Sequence, residues 1–68
     1  MTQPDSAVEM AKTLTQMGKK FGLSVRVVRH TTGDWYEVRN GKDPVYRAQR
    51  SEEVAAYFGR LEIAARFK

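Results

Sequence analysis

The chain has 68 residues, a net charge of +4 and no cysteine. A chain of this length makes one domain near the lower size limit for folding without metal, and the lack of cysteine excludes disulfides and thiol chemistry. No apolar run approaches a membrane span and the start of the chain lacks the features of a secretory signal, so we expect a cytoplasmic protein with no membrane partner.

The first predicted element is an amphipathic helix over residues 7–21. Ser6 and Glu9 have the spacing of a capping box, in which each side chain serves the other's backbone N–H at the start of a helix. Gly22 is placed to end the helix in the left-handed conformation. Apolar residues at helical spacing form one stripe, which we assign to the core. They are Met10, Leu14, Met17 and Phe21, with Ala7, Ala11 and Gly18 beside them.

Three segments of alternating apolar and polar residues follow, and each predicts a short β-strand. They are residues 23–31, 35–40 and 45–50. Turn signals lie between them, including the dipeptide Asn40-Gly41, and these signals predict an antiparallel meander. One face of the meander would pack in the core. The opposite, outer face would carry Arg26, His30, Trp35, Glu37, Arg39, Val45 and Arg47.

The last predicted element is a second helix, with Ser51 as a favourable N-cap. Glu52 and Glu53 suit the positive end of its dipole. Its core stripe is expected to contain Val54, Phe58, Leu61 and Ala65. A second apolar strip on another side of this helix contains Ala56, Ile63 and Phe67. This strip is either a set of ordinary exposed residues near a frayed end or a contact surface for a partner.

The predicted fold is α+β, in the order α-β-β-β-α, with two helices packed on one face of a three-stranded antiparallel sheet. Residues 6–68 would form this single small domain and residues 1–5 a flexible tail. The order is similar to that of the double-stranded RNA-binding domain, although Ser51-Glu52-Glu53 stands where that family has a basic cluster. A three-stranded sheet followed by a helix also looks like integrase arm-binding domains and plant domains that lay a sheet in the DNA major groove.

The positive charge is concentrated in the predicted sheet. Residues 23–50 carry a net charge of +3, whereas residues 51–68 are neutral. A basic sheet face can attract phosphates, and arginine can also read guanine. We therefore predict a face that binds nucleic acid, either DNA or RNA, and that contains Arg26, His30, Trp35, Arg39, Arg47 and Lys42. An ordinary solvated sheet surface, with Glu37 as cross-strand partner of the arginines, would have the same composition.

The sequence contains no recognisable catalytic constellation. His30 is the only histidine and cysteine is absent, so the usual zinc sites cannot be built, and we expect neither a metal nor a cofactor. Ser24 and His30 lie six residues apart on one strand, about 20 Å at roughly 3.3 Å per residue, which is too far for a nucleophile and its base. We therefore expect a binding module and not an enzyme.

A protein-interaction module is the alternative to nucleic-acid binding. The large hydrophobic residues are few, so the core is thin and a partner surface would add buried area. A small regulator, inhibitor or accessory protein of the kind encoded by mobile elements or phages fits this description. In this alternative the strip of Ala56, Ile63 and Phe67 contacts a protein partner or a second copy in a homodimer.

Overall fold

The computed structural model describes residues 6–67 and confirms the order α-β-β-β-α. The elements are α1 (Ser6–Gly18), a 3-10 turn (Lys19–Phe21), β1 (Ser24–Val28), β2 (Trp35–Asn40), β3 (Asp43–Ala48) and α2 (Ser51–Arg66). The predicted tail over residues 1–5 lies outside the described residues. Neither of the α-helices described here is long and apolar enough to cross a membrane.

The three strands form one antiparallel sheet in the order β1-β2-β3, as the meander predicted. Val38 in the central strand lies opposite Val25 of β1 and Tyr46 of β3, and it is fully buried. Both helices pack against the sheet, α1 mainly on β1 and α2 on β2 and β3. The core is therefore a single layer between the helices and one face of the sheet, which leaves the outer face of the sheet without a covering element.

The stripe that α1 buries is only part of the predicted one. It consists of Ala11, Leu14 and Gly18, whereas Met10 and Met17 are exposed. A Cβ at Gly18 would lie only 2.7 Å from Cζ of Phe58, so the glycine lets this ring of α2 pack directly on the backbone of α1. Placing the methionines in the core was wrong because the small residues beside them allow the closer approach.

The ends of the helices follow local backbone chemistry. Gly22 has φ 74° in the left-handed region and donates its N–H to the Lys19 carbonyl, which confirms its predicted role. Ser51 is the first helical residue and not the N-cap, because the preceding Arg50 has extended backbone and takes the cap position without a side-chain hydrogen bond.

An ion pair connects the 3-10 turn to α2. Lys20 lies 3.2 Å from a Glu62 carboxylate oxygen and lowers the pKa of that carboxyl group through its hydrogen bond and charge.

The two edges of the sheet are blocked in different ways. On the β1 edge, the Thr15 hydroxyl of α1 accepts the Val25 N–H at 3.0 Å. The same hydroxyl lies within hydrogen-bond distance of the Val25 and Ala11 carbonyl oxygens, at 3.0 and 2.8 Å. On the β3 edge stands Pro44, which has no N–H to donate. These features limit pairing of either edge with another strand.

The β2–β3 hairpin is tighter than predicted. Asn40 pairs with Asp43 across a two-residue turn in which Gly41 has φ 63°, so β3 starts and ends two residues earlier than expected. The register then shifts, and Val45 has no partner on β2. Val45 was predicted on the outer face, but it lines a cleft together with Leu23 and Tyr57 on the helix side. The irregularity explains this error, since one extra residue reverses the direction of a strand side chain.

Candidate nucleic-acid interface

A row of charged residues crosses the outer face of the sheet. Arg26 of β1 lies opposite Glu37 of β2, and Glu37 lies opposite Arg47 of β3. Arg39, two residues after Glu37, is on the same face of β2. The structure therefore brings together the three arginines that alternation predicted to share one face, with the carboxylate of Glu37 between them.

Glu37 contacts two of these arginines. Its Oε1 lies 3.4 Å from Nε of Arg39, and its Oε2 lies 3.6 Å from Nε of Arg47. The Arg39 Nε contact is an ion pair without hydrogen-bond geometry, whereas Arg39 Nη2 donates to the Lys42 carbonyl at 2.8 Å. The Glu37 side chain is only 11% exposed, because the arginines cover it. One shielded carboxylate therefore restrains two guanidinium groups at the surface.

The arginines differ in how much of each is available to a ligand. The Arg39 side chain is 27% exposed and is held by both Glu37 and the hairpin turn, whereas the Arg47 side chain is 58% exposed. Arg26 is also exposed, and the described part of the chain gives its side chain no ion pair. Lys42 is exposed in the turn itself. Arg26 and Arg47 are therefore the more exposed arginines of the face, with Lys42 at one end.

His30 and Trp35 lie at the other end of the sheet. His30 follows β1 in the connecting loop, and its ring stacks on that of Trp35 with the centroids 5.6 Å apart. The Nδ1 atom of His30 lies 2.8 Å from the Thr32 hydroxyl oxygen. An ion pair between Arg29 and Asp34 spans the same connection. Trp35 is the first residue of β2, whereas β1 ends at Val28 and leaves His30 in the loop, so the prediction of a strand as far as residue 31 was wrong.

A cleft beside Trp35 contains residues that sequence reasoning missed. It has a volume of about 390 Å³ and lies where β2 begins, β3 ends and α2 begins. Its lining consists of Trp35, Arg47, Ala48, Gln49, Arg50 and Glu53. In the sequence, only Arg50 pointed to this cleft, because it is a cation directly before the start of a helix. The cleft as a whole required the tertiary arrangement of three elements.

The predicted partner strip on α2 is exposed to solvent. Ala56 is exposed, and the exposed fractions of Ile63 and Phe67 are 55% and 84%. An apolar cleft of about 350 Å³ lies beside the C-terminal half of α2 and is lined in part by Tyr57 and Leu61. None of the three strip residues lines this cleft, so the strip is an apolar surface of α2 separate from the lining.

No three side chains of His, Asp or Glu within residues 6–67 lie close enough together to hold a metal ion. Comparisons with protein-family models, curated proteins and solved structures find no match to this chain. The case for a function therefore rests on the residues of the chain itself.

Proposed function

We propose that this protein is a non-catalytic module that binds nucleic acid through the outer face of its sheet. The observation that carries the proposal is the cross-strand row of Arg26, Glu37 and Arg47, with Arg39 beside it. The row contains three guanidinium groups and one carboxylate, so it keeps an excess of positive charge on an uncovered face. Phosphates are the ligand that such a face attracts most strongly.

The restraint by Glu37 supports binding and not only solubility. A free arginine loses side-chain entropy when it binds a phosphate, at a cost of about 0.5–1.5 kcal/mol for an immobilised flexible side chain. Arg39 and Arg47 are already restrained by the Glu37 carboxylate, so part of that cost is met by folding. Arg26 and Arg47 lie two strand spacings apart, about 10 Å, and their long side chains can reach neighbouring phosphates.

The proposal is tested by measuring how binding depends on salt. Fluorescence anisotropy of labelled single-stranded and duplex DNA and RNA is followed with wild type, Arg26→Gln, Arg47→Gln and the control Arg60→Gln. Arg60 is an exposed cation on α2, away from the sheet face. We expect affinity to fall steeply between about 50 and 200 mM salt, with each sheet variant reducing the salt slope by about 0.7–0.9.

Arg60→Gln should leave that slope unchanged, since it removes the same charge from another surface. The emission of Trp35, the only tryptophan, provides a second signal from the binding face. Absence of binding to every nucleic acid at low salt would contradict the proposal. Equal losses from Arg47→Gln and Arg60→Gln would show that net charge, and not the sheet face, drives association.

A second candidate is self-association through α2, and the exposure of Ile63 and Phe67 favours it. Large apolar side chains exposed along one side of a helix form the kind of patch that marks protein contacts. A homodimer with a two-fold axis would bury the strip of each copy against the same surface of the other. Self-association is compatible with nucleic-acid binding, because the strip and the basic face lie on different sides of the sheet.

A further inference from the structure

We propose that the cleft lined by Trp35, Arg47 and Arg50 binds one unpaired nucleotide, so that the protein prefers single-stranded to duplex nucleic acid. This inference rests on the proposed nucleic-acid function and specifies the form of nucleic acid. The volume of the cleft, about 390 Å³, falls within the range of roughly 300–1,000 Å³ that is typical of small-ligand sites. It is therefore large enough for a base with part of its sugar.

Trp35 forms the aromatic part of the cleft. His30 stacks on its ring with an interplanar angle of 23°, which holds the indole in place at the end of the sheet. The indole N–H is buried, and the described residues offer it no hydrogen-bond acceptor. Buried polar groups without a partner are rare in folded proteins. An aromatic ring that lines an open cleft is the feature on which unpaired bases stack in proteins that bind single strands.

Two guanidinium groups supply the positive charge. Arg47 belongs both to the outer-face row and to the lining of the cleft, so the two surfaces are continuous. Arg50 is exposed, and the structure gives its side chain no ion pair within residues 6–67. A strand whose phosphates follow the row from Arg26 to Arg47 would thus arrive at the cleft with its next phosphate near Arg50.

The remaining polar side chains suit a base edge better than a second phosphate. Glu53 would repel a phosphate, but its carboxylate can accept hydrogen bonds from the amino groups of cytosine, adenine or guanine. Gln49 can both donate and accept at the same edge. An unpaired base can turn its free Watson–Crick edge toward both groups, whereas in a duplex that edge is occupied by the partner base.

The experiment compares one labelled DNA sequence as a single strand and as a blunt duplex, by anisotropy, with wild type, Arg50→Gln and Arg60→Gln. Both variants remove one exposed arginine, so neither is expected to disturb folding. We expect the single strand to bind about tenfold more tightly than the duplex, with Arg50→Gln abolishing most of that difference and Arg60→Gln preserving it. The emission of Trp35 should change on saturation with the single strand only.

The outcomes separate the inference from the function on which it rests. Equal binding of both forms by wild type, with Arg50→Gln and Arg60→Gln indistinguishable, would overturn the nucleotide cleft and leave the proposed function standing. No binding of either form at low salt would overturn the proposed function together with the inference. A preference for the single strand that Arg50→Gln does not reduce would also overturn the assignment to this cleft.

Discussion

At the residue scale, two helical glycines have opposite surroundings. Gly18, the last residue of α1, is buried against Phe58, whereas a Cβ at Gly59 of α2 would meet no other group within 4 Å. Neither residue has positive φ, so neither requires glycine for its backbone conformation. Any difference between the two alanine variants therefore reports on packing.

Gly59→Ala is expected to stabilise the protein by about 0.5–1 kcal/mol, because alanine is the better helix former and the new methyl group meets no neighbour. Gly18→Ala is expected to destabilise it by about 1–3 kcal/mol, because the ring of Phe58 is too closely packed to move aside. Urea unfolding of the two variants and wild type measures both changes. A stabilised Gly18→Ala variant would mean that α1 and α2 lie farther apart than described.

The same contact explains why α1 buries the small residues of the predicted stripe and leaves its two methionines exposed. Side-chain hydrophobicity placed Met10 and Met17 at the centre of the stripe, and spacing alone gave no reason to prefer Ala11 and Gly18 beside them. The close approach depends on an aromatic ring 40 residues farther along the chain, namely Phe58. The contact between Gly18 and Phe58 depends on the tertiary structure, so the periodicity of α1 alone cannot predict it.

At the element scale, Thr15 is the polar connection between α1 and the free edge of β1. Its hydroxyl accepts a hydrogen bond from the Val25 N–H, which would otherwise point away from the sheet without a partner. Thr13 on the same helix offers a comparison, because its exposed hydroxyl donates a hydrogen bond to the Glu9 carbonyl within the helix.

Thr15→Val should lower the free energy of unfolding by about 1–3 kcal/mol, because the Val25 N–H loses its partner in a partly buried place. Thr13→Val should change that free energy by no more than about 0.5 kcal/mol. Denaturant unfolding measures both values, and hydrogen exchange at Val25 should accelerate in Thr15→Val alone. Equal effects from the two substitutions would exclude a special role for the edge contact.

The elements were predictable to different degrees. Alternation alone located β2 with its observed bounds, since Trp35–Asn40 is regular and flanked by turn residues. The bounds of β3 and the direction of Val45 were not predictable, because they depend on a tight turn at Gly41 and on a shift in register after it. The cleft beside Trp35 was missed for a similar reason, since Gln49 and Arg50 belong to the link between β3 and α2.

At the scale of the whole molecule, the apolar strip and the basic face lie on different sides. A molecule built this way can associate with itself without covering the charged row. If the strip is a dimer surface, wild type should sediment as a dimer and Ile63→Glu as a monomer, because a buried charge would oppose the contact. Analytical ultracentrifugation over a range of concentrations measures the difference.

Gln16→Glu is the matched control for Ile63→Glu, since it adds the same negative charge at an exposed helical position outside the strip. It should sediment like wild type. Because Ile63 is 55% exposed, its replacement should not unfold the chain, and circular dichroism verifies this point. A wild type that remains monomeric at every concentration would remove the strip as a self-association surface.

The blocked edges of the sheet affect what happens when several copies of the protein are held close together. Molecules that bind along one nucleic-acid strand are held close together, and neighbouring sheets with open edges could then pair and grow into cross-β fibres. On one edge of this sheet, the Val25 N–H already donates a hydrogen bond to the Thr15 hydroxyl. On the other edge, Pro44 has no N–H with which to pair. If the protein binds nucleic acid as proposed, many copies can lie side by side on one strand while each sheet ends at three strands.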